Sequence, residues 1–235
     1  MSFMERLDKI LSNMGFGTRK EVKQLIKNKE VSVDGVTAVC PDLKVDPDKS
    51  EIAVKNEPLI YKKHIYLMLN KPKGYVSATQ DNLHKTVADL VPERFSHYKP
   101  FPVGRLDIDT EGFVLLTNDG ALAHELAAPK RHVPKTYFAM IDGEISQNDI
   151  SVFQSGIVLD DGYKTLPAVL KKSGDGVFVT IYEGKFHQIK RMFKALGKNV
   201  TYLKRIKISG LELDPDLKPG ETREITEEEQ KKLWT

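Results

Sequence analysis

The stretch PFPVGRLDIDTEGFVLLTNDG, residues 100–120, constrains this chain more than any other. A short apolar run, Phe101 to Val103, stops at Gly104, and Arg105, Asp107 and Asp109 follow at once. Phe113-Val114-Leu115-Leu116-Thr117 is then a continuous apolar run of strand length. Asn118-Asp119-Gly120 ends it with turn chemistry, and a helix can start beyond, capped by Asn118 or Asp119. The charges therefore fall on a loop between two buried elements, where a rigid scaffold can aim a carboxylate at a ligand. An Asp near a Gly also often does no more than tie a turn, and the stretch alone leaves both readings open.

A chain of 235 residues has room for one or two domains and a sizeable core. At 40% hydrophobic and 29% charged it has the composition of an ordinary soluble protein, and no apolar stretch reaches bilayer length. The start, MSFMERLDKI, lacks the apolar core of a signal peptide, so a cytoplasmic location is expected. The single cysteine, Cys40, fits a reducing compartment. Net charge is only +3, but residues 184–210 carry Lys185, Lys190, Arg191, Lys194, Lys198, Lys204, Arg205 and Lys207 with no acid. Such a segment suits a polyanion-binding surface, or else a solvated helix face.

Leu7, Ile10, Leu11 and Met14 recur at helical spacing before Gly15 and Gly17 interrupt. Thr18-Arg19-Lys20-Glu21 forms a capping box for a second helix with Val22, Leu25 and Ile26 facing inward and Arg19, Lys23 and Lys27 on one face. Val31-Ser32-Val33-Asp34-Gly35-Val36-Thr37 reads as a hairpin with an Asp-Gly turn. Arg6 to Gly35 resembles the alpha-L RNA-binding module found in a small-subunit ribosomal protein and in several RNA-modifying enzymes. The resemblance implies that Arg19, Lys20, Lys23 and Lys27 touch RNA phosphates. The expected divisions are an RNA-binding domain at 1–57, a linker at 58–63 and a catalytic domain at 64–235.

Ile65 to Leu69 restarts a buried strand and runs into Asn70-Lys71-Pro72-Lys73-Gly74-Tyr75, a basic turn. There Lys71 and Lys73 serve either as phosphate contacts or to solubilise the turn. Pro134 to Ile141 reads as a strand whose Tyr137 is either a core aromatic or a face on which a base stacks. Val177 to Tyr182 alternates as a strand, and Glu183 to His187 leads into a helix with Ile189, Met192, Phe193 and Leu196 on its apolar stripe. No phosphate-binding G-x-x-x-x-G-K-[ST] loop, G-x-S-x-G elbow or zinc-ligand spacing is present.

What remains is a carboxylate on a loop, a stacking-capable Tyr and a cationic helix in a chain that is expected to bind RNA. A carboxylate can act at a sugar, a nearby cation keeps it ionised, and a base must leave the stack before its glycosidic bond is worked on. GRLDIDTEGFVLLTNDG, the KTY of Lys135 to Tyr137, and EGKFHQIKRMFKALG resemble the three signature segments of the pseudouridine synthases. With LNKPKGY and the N-terminal module the likeness covers nearly the whole chain, and the HQIKRMF segment favours the small-subunit ribosomal RNA branch. By position, the resemblance implies that Asp107 is the catalytic carboxylate and that Tyr137 packs against the target uracil. It makes Lys190 the ion-pair partner of Asp107, with Arg191 the alternative, and has Arg105 help to hold the flipped-out site or the RNA backbone. His187 and Lys194, inside the basic segment, join the expected RNA contacts. The implied fold is α+β: a small helical and hairpin domain, then a mostly antiparallel mixed sheet flanked by helices. The implied reaction, uridine to pseudouridine, is an isomerisation that calls for no cofactor and no metal. The expected partner is ribosomal RNA, naked or within a subunit or assembly particle, met by a monomer without a membrane. A large-subunit synthase and a non-catalytic ribosomal RNA-binding assembly factor are the competing readings.

Overall fold

The structure, a computed structural model, describes residues 4–234 and divides into two compact units. The first runs through Ile65 and includes Glu93–Lys99. Its elements are β1 (Glu5–Arg6), α1 (Leu7–Asn13), α2 (Arg19–Lys27), β2 (Val31–Val33), β3 (Val36–Thr37), β4 (Lys44–Val45), β5 (Ile52–Val54), β6 (Glu57–Pro58) and the single turn α3 (Glu93–Ser96). The capping box forms as the residues dictate: the Thr18 amide donates to Glu21 Oε2 at 2.7 Å and the Thr18 hydroxyl accepts from the Glu21 amide. Asp34 and Gly35 take positive φ (52° and 77°), which the tight β2–β3 turn demands. Leu7, Ile10, Leu11, Val22 and Ile26 bury the helices against Val31, Ile52 and Val54 of the sheet β3-β2-β5-β6. Residues 58–63, expected as a linker, do not stand free of this unit. Pro58 pairs with Ala53, and Leu59 and Tyr61 pack on the same core, because their apolar side chains are the next available to cover it.

The second unit holds β7 (Tyr66–Lys71), β8 (Phe101–Pro102), β9 (Glu111–Thr117), α4 (Gly120–Ala127), β10 (Lys135–Ile141), α5 (Gln147–Ser155), β11 (Val169–Ser173), β12 (Gly176–Ile181), α6 (Gln188–Ala195), β13 (Val200–Ile208), β14 (Leu211–Glu212), β15 (Thr222–Glu224) and α7 (Glu227–Lys232). The strands form one nine-stranded sheet ordered β11-β12-β10-β13-β9-β7-β15, with β14 added to β13 and β8 to β9. Each pairing is antiparallel except β9 with β13. The expected α+β class and mixed, mostly antiparallel sheet are therefore observed. The run Phe113 to Thr117 is buried throughout because β9 is central, flanked by β7 and β13. Asp119, rather than Asn118, caps α4, its Oδ1 accepting from the amides of Ala121 and Leu122. On α6, Ile189, Met192 and Phe193 are buried as the stripe predicts, and Phe193 packs on Phe153 of α5 at 5.0 Å between ring centres. Among the described residues no helix is long and apolar enough to cross a membrane.

The parallel β9–β13 contact joins two antiparallel halves through only Glu111 opposite Lys204 and Gly112 opposite Arg205. Gly112 has φ 99°, and a Cβ there would lie 2.9 Å from the Arg205 amide nitrogen and closer still to its carbonyl oxygen. Glycine is needed for both reasons, conformation and space. Gly112→Ala is expected to destabilise the protein by about 2–4 kcal/mol, combining backbone strain with a backbone clash, as read from the urea unfolding midpoint. An unchanged midpoint would show that the junction yields without cost.

Candidate active site

Residues 104–110 form the loop entering β9, and it is held from beneath. The Ser77 hydroxyl donates to the Leu106 carbonyl at 3.1 Å and accepts from the Leu106 amide at 3.0 Å. The Gly74 amide donates to the Ile108 carbonyl at 2.7 Å. Lys71, at the end of β7, sends Nζ to the carbonyls of Thr110 (2.7 Å), Pro72 (3.1 Å) and Ile108 (3.4 Å). Its side chain is 0% exposed, and burial pushes the ammonium down to about 8. Lys71 was expected among the phosphate contacts, and the structure corrects this. β7 is buried from Leu67 onward, so Lys71 lies inside the protein, where it fastens the loop, while Lys73, two residues on, is exposed.

The loop forms one wall of a cavity of about 810 Å³, room enough for a nucleotide. Arg105, Asp107, Lys135, Tyr137, His187, Lys190 and Arg205 all line it. Lys190, in the first turn of α6, sets Nζ 3.3 Å from Asp107 Oδ2 and 2.5 Å from Asp109 Oδ1. His187 Nε2 stands 3.7 Å from Asp107 Oδ1 on the other side of the carboxylate. Burial pushes the Asp109 carboxyl up, but the hydrogen bond and charge of Lys190 outweigh it and hold the group below its ordinary value. Arg191, the alternative partner of Asp107, points to a different side of α6. It pairs with Asp160 and, at 2.8 Å, with Asp161. The i, i+1 step of about 100° around a helix separates the two cations. Lys194 is exposed on the same helix, and Arg19, Lys20, Lys23 and Lys27 are exposed along α2 of the first unit.

Tyr137 is buried in β10, between Val179 of β12 and Arg205 of β13, with its ring on the cavity. Arg205 is 2% exposed; its Nε donates to the Phe113 carbonyl at 2.7 Å and its Nη1 approaches the Tyr137 hydroxyl at 3.5 Å. Its Nη2 is buried without a hydrogen-bond partner among the described residues, an unusual state for a charged group. Lys135 donates Nζ to the Val133 carbonyl at 2.9 Å, and burial together with the charge of Arg205 pushes it down to about 8. A carboxylate flanked by a lysine and a histidine, an aromatic face and desolvated cations are thus gathered in one concave site.

Comparison with known proteins agrees with this geometry. The family described as RNA pseudouridylate synthase matches residues 65–195, and the S4 domain matches residues 5–48. The chain belongs to the RNA pseudouridine synthase family. It is 51% identical over 229 residues to an uncharacterised RNA pseudouridine synthase of Bacillus subtilis, covering 95% of this chain and 96% of that one. It is 39% identical over 227 residues to the ribosomal small subunit pseudouridine synthase A of Escherichia coli, covering 95% and 97%. Among solved structures, a pseudouridylate synthase superposes with TM-score 0.69 at 35% identity, covering 97% of this chain and 99% of the other. This pseudouridine synthase is accordingly an isomerase of RNA with an S4-type RNA-binding domain.

Two charged residues that line the cavity escaped the reading of the sequence. Lys135 stands in the KTY segment but registered only as the start of a strand. Arg205 registered only as part of a basic run. Its signal lay in the alternation of β13: Arg205 shares a strand face with Leu203, so a charge occupies a core position.

Lys190→Met is expected to lower turnover by roughly 100-fold, the scale of losing one preorganised charge contact at a reacting centre. The Asp109 carboxyl, still partly desolvated but without its cation, should titrate at higher pH by NMR. Arg191→Met should leave the Asp109 titration in place, since that side chain serves Asp160 and Asp161. The reverse pattern would mean that Lys190 is not the cation of this site.

Proposed function

We propose that this enzyme converts a uridine of small-subunit ribosomal RNA to pseudouridine, with Asp107 as the reacting carboxylate. The observation that carries the reading is the placement of Asp107 in the wall of the cavity, between Lys190 and His187, with the buried Tyr137 lining the same cavity. The target nucleotide enters the cavity flipped out of its stack, so that Asp107 meets the ribose and the uracil lies against Tyr137. The bond from ribose C1′ to uracil N1 breaks, the uracil turns, and C1′ bonds to C5. The C5 proton is lost and N1 regains one, so the product is an isomer of the substrate. The cations of Lys135 and Arg205 favour the negative charge that the detached uracil carries in its ring and carbonyl oxygens. Lys190, 3.3 Å from the carboxylate, keeps it aimed into the cavity.

The small-subunit assignment is supported by the 39% identity to the Escherichia coli enzyme over nearly the full length of both chains. The N-terminal unit supplies affinity rather than chemistry: Arg19, Lys20, Lys23 and Lys27 stand exposed along α2 to contact phosphates. The ribosomal RNA is met in the cytoplasm, in keeping with a lone, unpaired Cys40.

Mapping pseudouridine in small-subunit ribosomal RNA from cells with and without the protein tests the substrate: one site should lose its modification. Loss confined to large-subunit RNA would overturn the assignment. Asp107→Asn, nearly isosteric, should abolish product formation while RNA affinity stays within a few fold. Turnover near the wild-type level would remove Asp107 from the reaction.

Replacing Arg19, Lys20, Lys23 and Lys27 together by Gln should weaken RNA binding. It should also reduce the slope of log affinity against log salt by about 0.7–0.9 for each lost phosphate contact. An unchanged slope would assign the N-terminal unit another role.

A further inference from the structure

Phe186 is 75% exposed at the rim of the cavity, although it is a large apolar side chain in a segment bounded by the buried Glu183 and Gln188. Its ring lies on that of His187, centres 3.8 Å apart and planes within 18° of each other. This exposure does not come from a loose loop. The carboxylate of Glu183 accepts from the Tyr163 hydroxyl at 2.7 Å, the Leu166 amide at 2.9 Å and Gln188 Nε2 at 3.1 Å. Gln188 Oε1 in turn accepts from the Lys185 amide at 2.9 Å. His187 is held at φ 48°, a left-handed conformation that a non-glycine residue keeps only when its surroundings over-determine it. That turn brings the two rings onto one side of the chain and leaves one face of Phe186 open. The far member of the stack, His187, is the one that reaches Asp107.

A rigid, flat aromatic face next to cations and at the mouth of a nucleotide-sized cavity matches the chemistry of an unpaired nucleobase. We propose that the Phe186–His187 stack is a platform for the unpaired base next to the target uridine, so that the enzyme requires a nucleotide unstacked beside the one it modifies. This rests on the function proposed above and adds a specificity element to it. A base on Phe186 continues the stack Phe186–His187 toward Asp107 and fixes the distance between the flanking nucleotide and the flipped one.

The test compares Phe186→Ala, Phe186→Leu and Phe186→Trp in the full-length enzyme. Steady-state kinetics use a transcript of small-subunit ribosomal RNA, and direct binding uses a short oligouridylate and a fully paired RNA duplex. One lost base–aromatic stack should raise KM and weaken oligouridylate binding by about 5- to 150-fold in Phe186→Ala. The value of kcat should hold within a few fold, and duplex binding should not change. Trp should restore the wild-type values and Leu, apolar but not flat, should not. The proposal is overturned if Ala leaves KM and oligouridylate binding unaltered, if Leu restores them as well as Trp does, or if the loss falls on kcat alone. Should the wild-type enzyme form no pseudouridine in the transcript, the substrate assignment fails, while the oligouridylate and duplex arms still decide the platform.

Discussion

One buried ammonium holds the Asp107 loop in place. Lys71 lies wholly inside the second unit with its Nζ on the carbonyls of Pro72, Ile108 and Thr110. An unpaired buried charge is costly, and three carbonyl oxygens offset that cost by replacing its water. The same bonds tie the segment after Asp107 to the end of β7, and Ser77 ties the segment before it. Asp107 is thereby displayed on a loop whose backbone is fastened on both sides, which is how a loop residue acquires the positional accuracy of a residue on a strand.

The rest of the site is assembled where two antiparallel half-sheets meet. Among the described strands of this sheet only β9 and β13 pair in parallel, and Gly112 lets their backbones approach closely enough to pair. At this junction Arg205 reaches the Phe113 carbonyl on one side and Tyr137 on the other. One guanidinium thus connects β9, β10 and β13 beneath the cavity, with one donor nitrogen left without a partner among the described residues. A desolvated cation of this kind has few uses in a core, and it suits a site in which negative charge develops.

Charge around α6 is sorted by the geometry of the helix. Lys190 and Arg191 are adjacent in the chain but serve different carboxylates, Asp107 and Asp109 on one side and Asp160 and Asp161 on the other. Lys190 is shared between two acids, and its shorter contact is to Asp109, so Asp109 both competes for the cation and keeps it at the cavity. Asp160 and Asp161 hold Arg191, the cation with more hydrogen-bond donors, away from Asp107.

Local physics in the sequence determined a good deal. Thr18 and Glu21 specify a helix start, Asp34-Gly35 a hairpin, the run Phe113 to Thr117 a central strand, and Ile189, Met192 and Phe193 the inner face of α6. These are short-range effects of capping, φ preference and periodicity, and each appears in the structure where the residues place it. The likeness of three signature segments led to the family, and so to Asp107, Tyr137 and Lys190. Tertiary structure alone decided which cation meets which carboxylate, that Lys71 turns inward while Lys73 does not, and that the supposed linker residues Leu59 and Tyr61 complete a core. It also decided that Arg205 and Lys135 belong to the cavity. Each of these depends on which strands become neighbours across long stretches of chain, and a side chain's burial follows from that pairing rather than from its own chemistry.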